Sequence, residues 1–226
     1  MGQAWRALSY PYAANAAGAV AALSFEGRPL RWHRLDDGVM GGRSESGHAA
    51  LPASGGLRFA GVIDTDGGGF ASIRANLDAP LPARAAAIRV RVRGDGRTYK
   101  LLLSNGEPSG PWSNNPSWQA DIATRAAPGA EPDEVVLPLS AFVPTFGGAP
   151  FRGGRAGGLA LVPQEMRQLG LMLSLYLSDG RPNPPETFGT GAFSFALDVA
   201  AIEVVQSADD ALCCEACTVD TEGDVT

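Results

Sequence analysis

Residues 87–103 read Ala-Ile-Arg-Val-Arg-Val-Arg-Gly-Asp-Gly-Arg-Thr-Tyr-Lys-Leu-Leu-Leu. Ile88, Val90 and Val92 alternate with Arg89, Arg91 and Arg93, the period-two pattern of a strand with one buried and one wet face. Gly94-Asp95-Gly96 interrupts the pattern with tight-turn residues, and an apolar extended run resumes at Thr98. The stretch therefore reads as a β-hairpin. The same signal recurs outward from it. Residues 57–63 alternate and run into a turn-rich segment at 64–69, and further strands are predicted at 117–123, 133–138, 169–177, 192–198 and 201–205. Long loops fall at 104–116, 144–158 and 178–191, with helical turns only near 140–142 and 163–168. Many short strands separated by turn clusters mark an all-β sandwich or barrel.

Composition supports that class. Of 226 residues, 45% are hydrophobic, enough for a sizeable core, and 29 glycines with 17 prolines favour turns over long helices. The net charge of −6 is unevenly placed. Asp209, Asp210, Glu215, Asp220, Glu222 and Asp224 lie beyond Val205 with no base among them, so the remaining 18 acids balance the 18 bases. A neutral body with an acidic tail is a poor match for nucleic acid, whose affinity comes from neutralised phosphates. Lys100 is the single lysine among those 18 bases. The three cysteines, Cys213, Cys214 and Cys217, sit in the same tail. No disulfide framework is expected, and three thiols without a fourth ligand make an incomplete metal site. No run of apolar residues reaches the roughly 18 that a membrane span needs. The organisation reads as an N-terminal arm at 1–22, one sandwich domain at 23–205 and an acidic tail at 206–226.

Glycine-rich blocks punctuate the strands. Trp32-His33-Arg34-Leu35-Asp36-Asp37-Gly38-Val39-Met40-Gly41-Gly42-Arg43-Ser44 is the most distinctive, with Asp37 placed to cap free amides in a turn. Gly67-Gly68-Gly69-Phe70-Ala71-Ser72-Ile73-Arg74, Gly94-Asp95-Gly96-Arg97-Thr98-Tyr99-Lys100 and Pro138-Leu139-Ser140-Ala141-Phe142-Val143-Pro144-Thr145-Phe146 follow, then Trp118-Gln119-Ala120 and Leu169-Gly170-Leu171-Met172-Leu173-Ser174. Taken together, these blocks resemble the complex I intermediate-associated protein family over residues 23–205. The motif Trp-x-x-x-x-Asp-Gly-Val-Met-Gly-Gly-x-Ser is the most specific mark. Asp133 stands where the family usually carries Trp, and Gly147-Gly148 where it carries Arg-Gly. The resemblance implies a galactose-binding-domain-like jelly roll with few short helical turns, and assembly factors of respiratory complex I or their plastid relatives.

The residue chemistry points away from catalysis. No Gly-x-Ser-x-Gly elbow and no dinucleotide fingerprint is present, and two histidines, His33 and His48, cannot make a multi-histidine metal centre. Asp64-Thr65-Asp66-Gly67 offers oxygens but lacks the remaining ligands of a calcium loop, so a capped turn is expected there. Trp32, Trp118 and Tyr99 lie in strands and are expected in the core, although with Trp112 they are the residues from which a sugar-stacking platform would be built. Trp112 sits in a Gly/Pro/Asn loop and is the first candidate for a partner anchor. Asp37, Met40, Arg74 and Phe146 complete the candidate partner-binding set.

The chain is thus expected to be a non-enzymatic assembly factor or accessory subunit, with no catalytic residue, cofactor or metal. It would bind protein subunits of a membrane energy-transducing complex, peripherally, at the mitochondrial inner membrane or the plastid thylakoid. A carbohydrate-binding module is the alternative.

Overall fold

The computed structural model of the chain describes residues 24–25, 28–51, 55–107, 115–126, 131–146, 149–150 and 159–207. Trp112, Cys213, Cys214 and Cys217 lie outside these residues. Two antiparallel sheets enclose one apolar core. With strands numbered in chain order, one sheet runs β10 (Asp133–Pro138), β7 (Ala85–Arg93), β14 (Ala192–Gln206), β5 (Gly56–Asp64) and β4 (Glu45–Leu51). The other runs β12 (Ala149–Pro150), β11 (Val143–Phe146), β9 (Ser117–Ala123), β8 (Thr98–Ser104), β13 (Gln168–Ser174), β6 (Phe70–Asn76) and β3 (Trp32–Arg34). A short ribbon of β1 (Ser24–Phe25) and β2 (Arg28–Pro29) precedes them. Helix is confined to single turns, of which α1 (Pro185–Phe188) is the one α-helical turn among the described residues. The chain forms the expected all-β jelly-roll sandwich.

Alternation decides which side chains make the core. Ile88, Val90 and Val92 of β7 and Leu57, Phe59 and Ile63 of β5 point inward from the five-stranded sheet. Tyr99, Leu101 and Leu103 of β8 and Leu169, Leu171 and Leu173 of β13 meet them from the seven-stranded sheet. Phe59 and Phe195 stack edge to face at 5.0 Å between centroids, and Tyr99 reaches across from the opposite sheet at 6.4 and 6.3 Å.

The strands of 87–103 are present, but they are not a hairpin. β7 pairs with β10 and β14, whereas β8 pairs with β13 and β9. The Gly94-Asp95-Gly96 turn is a corner that carries the chain from one sheet to the other. Each strand has its own apolar face, and the corner turns both faces toward one core. Period-two patterning reports which face is buried, not which strand lies alongside. Residues 175–177, expected in β13, have already left the strand, and the loop expected at 144–158 contributes most of β11 and the edge strand β12.

A second correction concerns the last strand. The segments 192–198 and 201–205 are one strand, β14, broken in register between Val199 and Ala201. The extra residue, Ala200, changes the parity of inward positions. Phe195, Leu197 and Val199 are buried before it and Ile202 after it, with Val204 packed on the core. Deleting Ala200 would restore unbroken alternation, with Ala201 still opposite Arg91 and Ile202 still opposite Val90, so Ile202 and Val204 stay inward. Urea titration of the deletion variant is expected to show a loss smaller than the ~1.5–3 kcal/mol that exposing either side chain would cost; a larger loss would mean that Ile202 and Val204 had turned outward.

Candidate functional site

The distinctive motif folds around a buried carboxylate. Residues Asp37–Met40 form one 3₁₀ turn between β3 and β4, closed by Gly41 at φ 89°. Asp37 is 1% exposed and points inward. Its Oδ1 accepts the Ser44 N–H at 2.9 Å, and its Oδ2 accepts the Ser44 Oγ–H at 2.6 Å, the Gly69 N–H at 2.6 Å and the Phe70 N–H at 3.2 Å. The two glycine blocks therefore meet on one side chain. A Cβ at Gly42 or Gly68 would run into the Asp37 carboxyl, so both positions need glycine for space rather than for turn geometry. Burial alone pushes this carboxyl up. The hydrogen bonds from Ser44, Gly69 and Phe70 outweigh burial and hold it below the ordinary carboxylate range.

Asp36 makes a second clamp one residue earlier. It accepts Ser46 N–H at 2.8 Å, Ser46 Oγ–H at 2.6 Å and Ser72 N–H at 3.0 Å, and Ser72 Oγ–H donates in turn to the Leu35 carbonyl. Together the two acids tie β4 of one sheet to β6 of the other. Asp37, a candidate for partner contact, instead positions its neighbours. Val39 and Met40 stand out from the turn at 70% and 73% exposure.

These residues edge a groove of about 1080 Å³ on the outer face of the seven-stranded sheet. Its floor carries the outward side chains of β6, β13, β8 and β9, among them Arg74, Met172, Lys100 and Gln119. Its walls include Phe70, Leu175 and Tyr176. Asp37, Met40 and Arg74 of the candidate set are thus brought together. Phe146 lies in β11, beside the edge strand β12, and does not line the groove, and Trp112 lies outside the described residues. Trp32, Trp118 and Tyr99 are buried in the core, while Phe70 and Tyr176 are the groove's aromatics. The candidate calcium loop is otherwise engaged. Arg43 bridges Asp64 and Asp66 at 3.0 and 3.1 Å, and Asp64 also accepts the Asp66 N–H at 2.9 Å.

Lys100 is the residue that sequence reasoning passed over. It is 2% exposed, and its Nζ donates to Gln119 Oε1 at 3.0 Å. Gln119 Nε2 donates to Thr145 Oγ1 at 2.8 Å, and Thr145 Oγ1 to the Ser117 carbonyl at 2.8 Å. Burial lowers its pKa to about 8 against the pull of Asp121 and Asp179, with Arg74 pushing the same way as burial. Burial likewise lowers Arg74 to about 10. The alternation of β8 puts Lys100, Leu102 and Ser104 on the face away from the core-facing Tyr99, Leu101 and Leu103, but carries no signal of what covers that face.

Two measurements check this arrangement. Asp37→Asn puts an NH₂ where only acceptors fit, and should cost about 2–4 kcal/mol by urea unfolding, given about 1–3 kcal/mol per unsatisfied buried group. A depressed native pKa stabilises above the unfolded value of 3.8. The gap between wild type and variant should therefore be full at neutral pH and shrink as pH falls below about 4. Lys100 is shifted in the same direction but titrates at the alkaline end. Its native pKa of about 8 lies below the ordinary 10.5, so the native state sheds this proton before the unfolded state does. Unfolding free energy of wild type relative to Lys100→Met should rise with pH between about 8 and 10.5; a flat difference would contradict the buried ammonium.

Comparison with known proteins places this geometry in a family. A family 11 carbohydrate-binding module from a cellulosomal cellulase of Clostridium thermocellum is similar in fold, with a TM-score of 0.51 at 13% identity over 80% of this chain and 90% of that one. The same kind of module from that organism, in complex with a β-1,3-1,4-mixed-linked tetrasaccharide, gives 0.49 at 13% identity over 79% and 90%. At this identity the first likeness concerns the sandwich alone. No curated protein matches the chain. Residues 23–199 match the family described as complex I intermediate-associated protein 30 (CIA30). That span holds the Asp37 clasp, the groove floor and nearly all of the sandwich; the chain belongs to the CIA30 family.

Proposed function

We propose that the chain is a non-enzymatic assembly factor or accessory subunit that docks on protein subunits of a membrane energy-transducing complex. The family's name refers to intermediates of complex I, which points to the respiratory complex and the mitochondrial inner membrane. The observation that carries a binding role is the Asp37 turn. It holds two large apolar side chains, Val39 and Met40, in solvent at the edge of an open groove, and fixes them with four hydrogen bonds to one buried carboxylate. A turn whose backbone is already fixed in this way loses little conformational freedom on docking, which favours its exposed apolar pair as an anchor. The acids that would be candidates for chemistry, Asp36 and Asp37, are taken up in clamping the sheets. Among the described residues no helix is long and apolar enough to cross a membrane, so docking would be peripheral.

The sugar-binding reading rests on a groove on a sandwich of this type, with Phe70 and Tyr176 in its wall. Three of the four aromatics from which a stacking platform would be built are in the core. Docking on protein is therefore the stronger reading.

The test is recovery of partners. Tagged full-length chain should capture complex I subunits from detergent-solubilised mitochondrial membranes. The double variant Val39→Ser, Met40→Ser should capture at least tenfold less, with a melting temperature unchanged within about 2 °C, because exposed substitutions stay within about 0.5 kcal/mol. Recovery of thylakoid subunits from plastid membranes instead would move the role to the photosystem. Recovery of neither, with glycan binding seen by calorimetry, would replace it with the carbohydrate reading.

A further inference from the structure

Two cations on the groove floor form no ion pair among the described residues. Arg74 on β6 and Lys100 on β8 flank β13, where Gly170 stands opposite Arg74 and Met172 opposite Lys100. A Cβ at Gly170 would lie 2.6 Å from Arg74 Cδ, so the arginine lies across β13 toward β8 over a position that only glycine leaves open. Arg74 Nε is buried with no hydrogen-bond partner. Lys100 carries three donors and meets one acceptor, the neutral Gln119 Oε1. The acids that act on Lys100 are engaged elsewhere. Asp121 accepts Ser178 N–H and Oγ–H, each at 2.9 Å, and Asp179 holds Arg181 at 2.5 Å. No ion pair reaches Arg74 or Lys100 among the described residues.

Two like charges drawn together and largely withdrawn from water are unfavourable in the empty protein. A strand that served packing alone would carry leucine or methionine at these positions. The arrangement becomes favourable once one negative charge is shared between a guanidinium fork and an ammonium. The rest of the lining selects among anions. Glu107 stands among the lining residues and opposes a highly charged ligand, while Phe70, Leu175 and Tyr176 offer apolar surface beside the cations.

We propose that the groove floor is a carboxylate subsite, in which an acidic side chain of a partner protein segment is held between Arg74 and Lys100. Apolar neighbours of that acid pack against Phe70, Leu175 and Tyr176. The assignment rests on the protein-docking role above and names the chemistry of the docked segment. Val39 and Met40 grip at the edge, and the carboxylate sets register on the floor.

The test is a ¹⁵N–¹H correlation titration of the full chain with acetyl-Leu-Glu-Leu-amide and its uncharged twin, acetyl-Leu-Gln-Leu-amide. Amide signals of Lys100, Gln119 and Gly170 should shift and saturate with the glutamate peptide, and the glutamine peptide should bind at least tenfold more weakly. Lys100→Met should erase that difference, and Arg74→Gln should do the same should the first variant not give a native-like spectrum. Equal binding of the two peptides, or shifts confined to other surfaces, would overturn the proposal. So would tighter saturation of the same signals by inorganic phosphate or by a mixed-linked β-glucan tetrasaccharide, which would assign the floor to phosphate or to neutral sugar. Overturning the subsite while the tagged chain still captures complex I subunits would leave the docking role intact.

Discussion

A carboxylate buried without a cation is tolerable only if donors surround it, and Asp37 is surrounded. Ser44 supplies two donors, and the backbone amides of Gly69 and Phe70 supply two more. Those donors come from separate segments, before β4 and at the start of β6, so the requirement to satisfy one side chain fixes how two loops and two sheets meet. The glycines around it follow from the same requirement. Gly42 and Gly68 make room for the carboxyl, and Gly41, Gly67 and Gly69 adopt the positive φ that brings amides onto it. Asp36 repeats the device through Ser46 and Ser72.

The groove inherits its shape from that clasp. One edge is the turn that Asp37 holds, and its floor is whatever the strands of the seven-stranded sheet turn away from the core. Strand alternation thus has two products in this molecule. Inward positions build a core of leucine, isoleucine and aromatic rings, and outward positions on β6, β13, β8 and β9 carry Arg74, Met172, Lys100 and Gln119. The polar outward set is joined by hydrogen bonds from Lys100 through Gln119 to Thr145, so the floor is ordered before any ligand arrives.

Much of this was readable in the chain, and the failures have physical causes. The strands at 117–123 and 133–138 matched because alternation and flanking turns agree there. The supposed hairpin at 87–103 failed because Gly-Asp-Gly serves a corner between sheets as well as a tight reversal, and local pattern carries no information about the partner strand. The break read between 198 and 201 was a bulge, since a change in parity looks like an interruption. Asp37 was singled out correctly as a turn residue, but an acid exposed in a glycine loop and an acid buried under one have the same local sequence. Lys100 was invisible as a site because a lone lysine in a strand is ordinarily a solvated one. Its burial depends on neighbours brought in from β9 and β13, which no local window contains.

The final strand of the sandwich is also the middle strand of its sheet, with β14 seated between β7 and β5. A ribosome delivers the chain from the other end. Until residue 206 emerges, β4–β5 and β10–β7 are two separate ribbons, each with an open edge and half its apolar face uncovered. The nascent protein therefore has no finished five-stranded sheet before that point. Closure of that sheet, and the covering of the seven-stranded sheet's apolar face by it, waits for the last strand to be made.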